Sequence, residues 1–212
     1  MKVALGWKAH SGWAVLVIVG NAGNSTVLIE RQRVALVDDD APWEKQPYHA
    51  AEHAESNVAD ALVRRGVEAV QRVAMRQMQS IRARCHAAGH EVVGCAVLMP
   101  APMPVWSTAE ILAVHIRMHK AEGVLFPSAL CHAAERCGLG LVALPEKRLE
   151  ELAIRHLATP RVSLAATVAA LGKSVGAPWG MDQKNAALAA MVALRGDAQG
   201  SLAVMLRDSG QA

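Results

Sequence analysis

Three groups of side chains in this sequence are of types and spacings that could do chemistry. His115, His119 and Glu122 recur at steps of four and three inside the stretch Ser107–Gly138, so on a helix they share one face. Three such groups could hold a transition metal with an open position. They could equally line a crevice for a small ligand or a phosphate, or be histidines satisfied by backbone carbonyls. We adopt the crevice reading and expect no metal there. The second group, His49-Ala50-Ala51-Glu52-His53, fits the H-x-x-E-H pattern of inverted zinc proteases. In that reading His49 and His53 share a zinc, Glu52 is the base, and Glu122 or Glu135 is a third ligand. A five-residue pattern recurs by chance in a chain with nine histidines, so an exposed polar helix face is the expectation. The third group is Lys8 and His10, at the end of the first apolar run. Ligands in α/β sheets gather at strand carboxyl ends, which would bring this pair to the same crevice as the helical histidines.

No glycine-rich phosphate loop is present. Gly172-Lys173-Ser174 has the ending of a phosphate loop, but Thr167 stands where the leading glycine is required. The four cysteines, Cys85, Cys95, Cys131 and Cys137, form no C-x-x-C pair, and read as reduced thiols, two of them in the core. Trp7 and Trp13 are expected to fill the core, and Trp43, Trp106 and Trp179 to pin loops. The sequence points to no particular cofactor.

The chain has 212 residues, 52% of them hydrophobic, which excludes a disordered protein and gives one domain with a sizeable core. A net charge of +3 is mild, and the basic residues are scattered. The best basic patch, Arg72 to Arg84, reads as a solvated helix face. The longest uninterrupted apolar piece near the start, Trp13–Val19, is too short for a membrane span. A cytoplasmic protein without a membrane partner is expected. Apolar helix faces in an alanine-rich chain are compatible with a homodimer.

The elements that must position these residues follow from periodicity. Valine-rich runs near 2–8, 12–20 and 26–37, joined by tight turns, predict an antiparallel meander. Helical spacing from Val58 to Ile81 predicts a helix across 48–90, with Gly66 as a weak point. A strand near 91–98 and a proline-rich connector follow. Ser107 or Thr108 with Glu110 predicts a capped helix start, and Gly123 and Pro127 predict an interruption before 129–137. A strand at 140–144, a polar helix from Pro145, a small helix to Leu171, a last helix from Met181 and a weak final strand in 201–212 complete the order. The sum is an α/β fold: a mixed five-stranded sheet, three antiparallel strands then β-α-β-α, with helices on both faces. Residues 1–212 read as a single domain with an inserted helical segment near 146–176.

That order resembles the ribonuclease H-like superfamily, and three local pieces resemble its Holliday-junction resolvase branch, or uncharacterised bacterial proteins of that fold. They are Ala4–Val15, with its G-x-x first-strand ending; Ala121–Leu125 through Leu141–Pro145; and Asp182–Ala189, which is similar to D-x-x-D-A-x-A-L. The resemblance implies a metal-dependent nuclease holding two divalent ions with acids on the first strand, the fourth strand and the last helix. The departures are specific. Lys8 stands at the first-strand position, the fourth strand ends Val97-Leu98-Met99-Pro100 without an acid, and Asn185 replaces the second acid of the last helix while Asp182 remains. One carboxylate and a lysine do not make a cage for hard cations. The expectation is a non-catalytic binding or assembly protein, with nucleic acid as a candidate partner and a polar crevice of Lys8, His10, His115, His119, Glu122 and Asp182. The alternative is a divergent metal-dependent nuclease or hydrolase.

Overall fold

The computed structural model describes residues 1–23, 25–38 and 41–197. Five strands form one sheet: β1 (Lys2–His10), β2 (Trp13–Ala22), β3 (Ser25–Ala35), β4 (Glu91–Met99) and β5 (Gly140–Pro145), in the order β3-β2-β1-β4-β5. β1, β2 and β3 are an antiparallel meander, while β4 and β5 run parallel to β1. This is the expected mixed sheet, and each strand lies within three residues of its predicted ends. The expected strand in 201–212 lies outside the described residues.

Strand alternation divides the apolar side chains between two cores. Val3, Leu5 and Trp7 of β1 point to one face, where they meet α2 (Ser56–Ala87) and α4 (His115–Arg136). Ala4 points to the other face, where it joins a core built from α5 (Leu149–Leu157), α6 (Arg161–Val175) and α7 (Met181–Asp197). The two cores differ in grain. The first contains Trp7, Met78, Ile81 and Phe126, all fully buried. The second seats α7 on the sheet through Ala186, Ala187, Ala190 and Ala193. Small residues on both sides let α7 approach closely: a Cβ on Gly6 would lie 1.9 Å from the Ala186 carbonyl oxygen, and one on Gly94 2.8 Å from that of Ala193.

Three helix expectations need correction. The helix across 48–90 is two helices, α1 (Pro47–Ala51) and α2, because α1 ends after one turn and the chain bends at Glu52–Glu55. Gly66 is no weak point within α2: Pro47 packs on it, and a Cβ there would sit 2.5 Å from the proline Cβ. It is the seat on which α1 docks. Finally, α4 runs unbroken through Gly123 and Pro127. A proline inside a helix forfeits one backbone hydrogen bond, which the burial of Pro127, Leu125, Phe126, Ala129 and Leu130 offsets. The predicted capping box is present at the start of α3 (Thr108–Leu112), where Ser107 Oγ accepts from Glu110 N at 3.3 Å and the Glu110 carboxylate accepts from Ser107 N at 2.8 Å.

Trp7 is buried as expected, whereas Trp13 is only half-buried. Trp179 pins its loop: its ring covers Gly172, and its Nε1 donates to the Val168 carbonyl. Gly172 is therefore a seat for an indole. All four cysteines are free, with Cys85 and Cys95 buried. Among the described residues no helix is long and apolar enough to cross a membrane.

Candidate functional site

The six residues expected to share one crevice fall into two groups on opposite sides of the sheet. Lys8 and His10 follow Trp7 at even positions of β1, so alternation turns them to the α7 face. His115, His119 and Glu122 ride on α4, which packs on the other face with Trp7. Among the described residues no hydrogen bond or ion pair links the two groups. The single shared crevice is thus corrected to two sites. The sequence showed both residue sets but not the layer that separates them.

At the carboxyl end of β1, Lys8 Nζ donates to Glu146 Oε2 at 2.6 Å. Glu146 directly follows β5, so the lysine reaches across the end of β4, which lies between β1 and β5. The ammonium side chain is 17% exposed and the carboxylate 32%. Beside this pair His10 Nε2 donates to Asp182 Oδ2 at 2.9 Å. Asp182 lies in the first turn of α7, where the helix dipole favours a negative charge. The turn is held from three directions. Arg31 of β3 donates to the Gly176 and Pro178 carbonyls, Trp179 is pinned on α6, and Gln183 accepts from Gly180 N at 2.9 Å. His10 stacks on Trp13 with ring centres 4.3 Å apart, and the Arg33 guanidinium stands 3.9 Å from the same indole. The Lys45 side chain lies against Gly12 in the β1–β2 turn. This end of the sheet thus presents Lys8, His10 and Arg33 around two carboxylates. Glu146 carries no signal in the sequence, since an acid after the last strand matches no motif; only its distance to Lys8 marks it.

On the opposite face, His49 of α1 comes to α4. Its Nδ1–H donates to Glu122 Oε2 at 2.8 Å, and its backbone N–H donates to Glu122 Oε1 at 3.2 Å. The Glu122 side chain is only 4% exposed. His115 Nε2 and His119 Nε2 are 3.0 Å apart, and one ring nitrogen from each of His49, His115 and His119 lies within 4.8 Å of the others. Glu52 stands behind His115, 3.9 Å from its Nδ1. The pairing of His49 with His53 does not form, because α1 stops at Ala51 and leaves His53 exposed in the turn. Neighbouring Tyr48 has its hydroxyl pKa raised, first by burial and then by the Glu122 charge. The cysteines add no nucleophile: burial raises the Cys95 thiol, and burial followed by Glu135 pushes Cys131 up to about 11.

The architecture matches solved structures. Thermus thermophilus RuvC superposes with a TM-score of 0.52 at 12% identity, covering 93% of this chain and 96% of that one. The chain has the ribonuclease H-like fold of RuvC. RuvC from the same organism in complex with Holliday junction substrate gives a TM-score of 0.51 at 12% identity, over 94% of this chain and 97% of that chain. No protein-family model and no curated protein matches the sequence. The two divalent ions implied by the resemblance do not fit the residues at the carboxyl end of β1. Its donor set is one aspartate bonded to a histidine and one glutamate bonded to an ammonium, and hard cations require several free carboxylate oxygens.

Proposed function

We propose that this protein binds nucleic acid at the carboxyl end of β1 and does not cleave it. The single observation that carries the reading is the Lys8–Glu146 pair at 2.6 Å. A fixed positive charge occupies the place where a nuclease of this fold needs an acid. An unpaired ammonium would repel a cation by about 4 kcal/mol per unit charge at about 4 Å and an effective dielectric near 20; Glu146 offsets much of this, so the exclusion rests mainly on the missing acid. The same charge suits a phosphate. A lysine ammonium has three N–H donors, and Glu146 takes one of them. Arg33, over the Trp13 ring beside His10, adds a second positive charge. The solved complex of T. thermophilus RuvC with a Holliday junction substrate supports branched DNA as the first substrate to try. In this reading residues 1–212 form one domain, and the helices of 146–176 are an insertion that supplies Glu146.

The test joins two measurements on the full chain. Incubation of four-way junction, duplex and hybrid substrates with magnesium or manganese is expected to give no cleavage. Fluorescence anisotropy is expected to show binding that weakens steeply with salt, and Lys8→Ala should lower the slope of log affinity against log salt by about one. Robust metal-dependent cutting by the unmutated chain would promote the nuclease alternative. Absence of binding at low salt would remove nucleic acid as the partner.

A further inference from the structure

The second polar cluster has the construction of a transition-metal site. We propose that His49, His115 and His119 bind one zinc-class divalent ion per chain, with an open fourth position. This inference is independent of the β1 crevice and departs from the expectation of no metal.

Four observations carry it. First, three ring nitrogens converge from two helices, within 4.8 Å of one another. Zinc–imidazole bonds of about 2.0–2.1 Å place tetrahedral ligand nitrogens roughly 3.4 Å apart. The 3.0 Å separation of His115 Nε2 and His119 Nε2 is already near that spacing. Second, the tautomer of His49 is set. Glu122 holds Nδ1–H, which leaves Nε2 with a lone pair and no hydrogen. A carboxylate behind a ligand histidine orients the ring and raises its basicity, and such a partner is a regular feature of zinc centres. Glu122 is itself placed by a second bond from the His49 backbone and by burial, so it acts as a positioning residue. Third, His115 repeats the arrangement more loosely, with Glu52 3.9 Å from Nδ1 while Nε2 faces His119. Fourth, charge balances. Two carboxylates behind neutral imidazoles compensate a dication, although neither carboxylate stands between the rings. His115 and His119 are exposed, so a water or a substrate oxygen can reach the remaining position. Three imidazoles with no thiolate favour zinc, cobalt or nickel over calcium or magnesium.

The full chain, prepared with its affinity tag removed, is dialysed against zinc and then against metal-free buffer, and its metal content is measured. About one equivalent of zinc is expected. Cobalt(II) in its place should give the intense visible bands of a four-coordinate ion. His119→Ala and His49→Gln should each weaken zinc at least about 100-fold, and Glu122→Gln about 10- to 100-fold. His132→Ala, an exposed histidine further along α4, should change nothing. A hundredfold excess of zinc over the parent Kd should raise Tm by roughly 5–10 °C in the parent chain and in His132→Ala, and by much less in His119→Ala. If His49→Gln fails to fold, His119→Ala on the exposed face still decides. Less than about a tenth of an equivalent on the parent chain, or equal affinity in the parent and His119→Ala, would overturn the site.

Discussion

On the α7 face of the sheet, Lys8 and Asp182 each have a partner of opposite or complementary charge at hydrogen-bonding distance. On the α4 face, the carboxylates stand behind the histidines, and the ring nitrogens point at one another. Both clusters contain histidine and acid, yet they lead to opposite conclusions. Where the chain supplies the counter-charge itself, a metal has nothing left to bind. Where the acids stand at the outer nitrogens, the inner nitrogens of His115 and His119 face each other and leave room for the proposed ion. Composition of a cluster says little about metal binding until it is known which atom faces which.

Four changes break or sharpen this contrast, in falling order of effect. Gly6→Val should be the most damaging, at about 3 kcal/mol or more, because the new Cβ would meet the α7 backbone. Urea denaturation should show a lower midpoint, and the α7-face crevice should lose its His10–Asp182 contact. Glu122→Leu acts on the other face. It strips two N–H groups of His49 of their buried acceptor and should cost about 2–3 kcal/mol, read as a Tm drop of roughly 5–10 °C. Lys8→Met should cost less than about 1 kcal/mol in the same assay, since its partner is partly solvated. A large loss there would mean that the pair is structural and would weaken the phosphate reading.

The smallest effect concerns His156, outside both clusters. Burial, then Arg195, lowers its pKa below the ordinary 6.5, and its Nε2 is buried without a partner among the described residues. The unfolded chain therefore takes up this proton at higher pH than the folded one. Stability is full above about 6.5 and is lost as pH falls from there toward the folded pKa. Tm measured between pH 7.5 and 5.5 should fall, and His156→Leu should flatten part of that fall. An unchanged slope would place the proton uptake elsewhere.

Much of the fold was legible. The valine-rich runs, their turns and the switch to helical spacing determine five strands in the right order, because hydrophobic period follows directly from which faces are buried. The site was legible only in part. His115, His119 and Glu122 were chosen by spacing, and His49 was noticed inside a motif with the wrong partner. What joins His49 to them is the docking of Pro47 on Gly66, a contact between helices that local periodicity does not encode. The shared crevice failed for a related reason: residues at the ends of neighbouring elements look close in sequence diagrams, but the parity of Lys8 and Trp7 sends them to opposite layers. Pro127 misled because burial outweighed its local cost.

The close approach of α7 to β1 at Gly6 and to β4 at Gly94 has a kinetic consequence. Backbone rests on backbone, with no long side chains between that could change rotamer and let the helix slide. Asp182 at the head of that helix and His10 on the strand thus keep a fixed separation while a ligand arrives. Capture at this crevice should proceed in one step, with an observed rate that climbs linearly with ligand concentration and shows no plateau from a closing motion. Selectivity then rests on the fit of the ligand as it first touches the surface, and discrimination among ligands falls to how fast each one leaves.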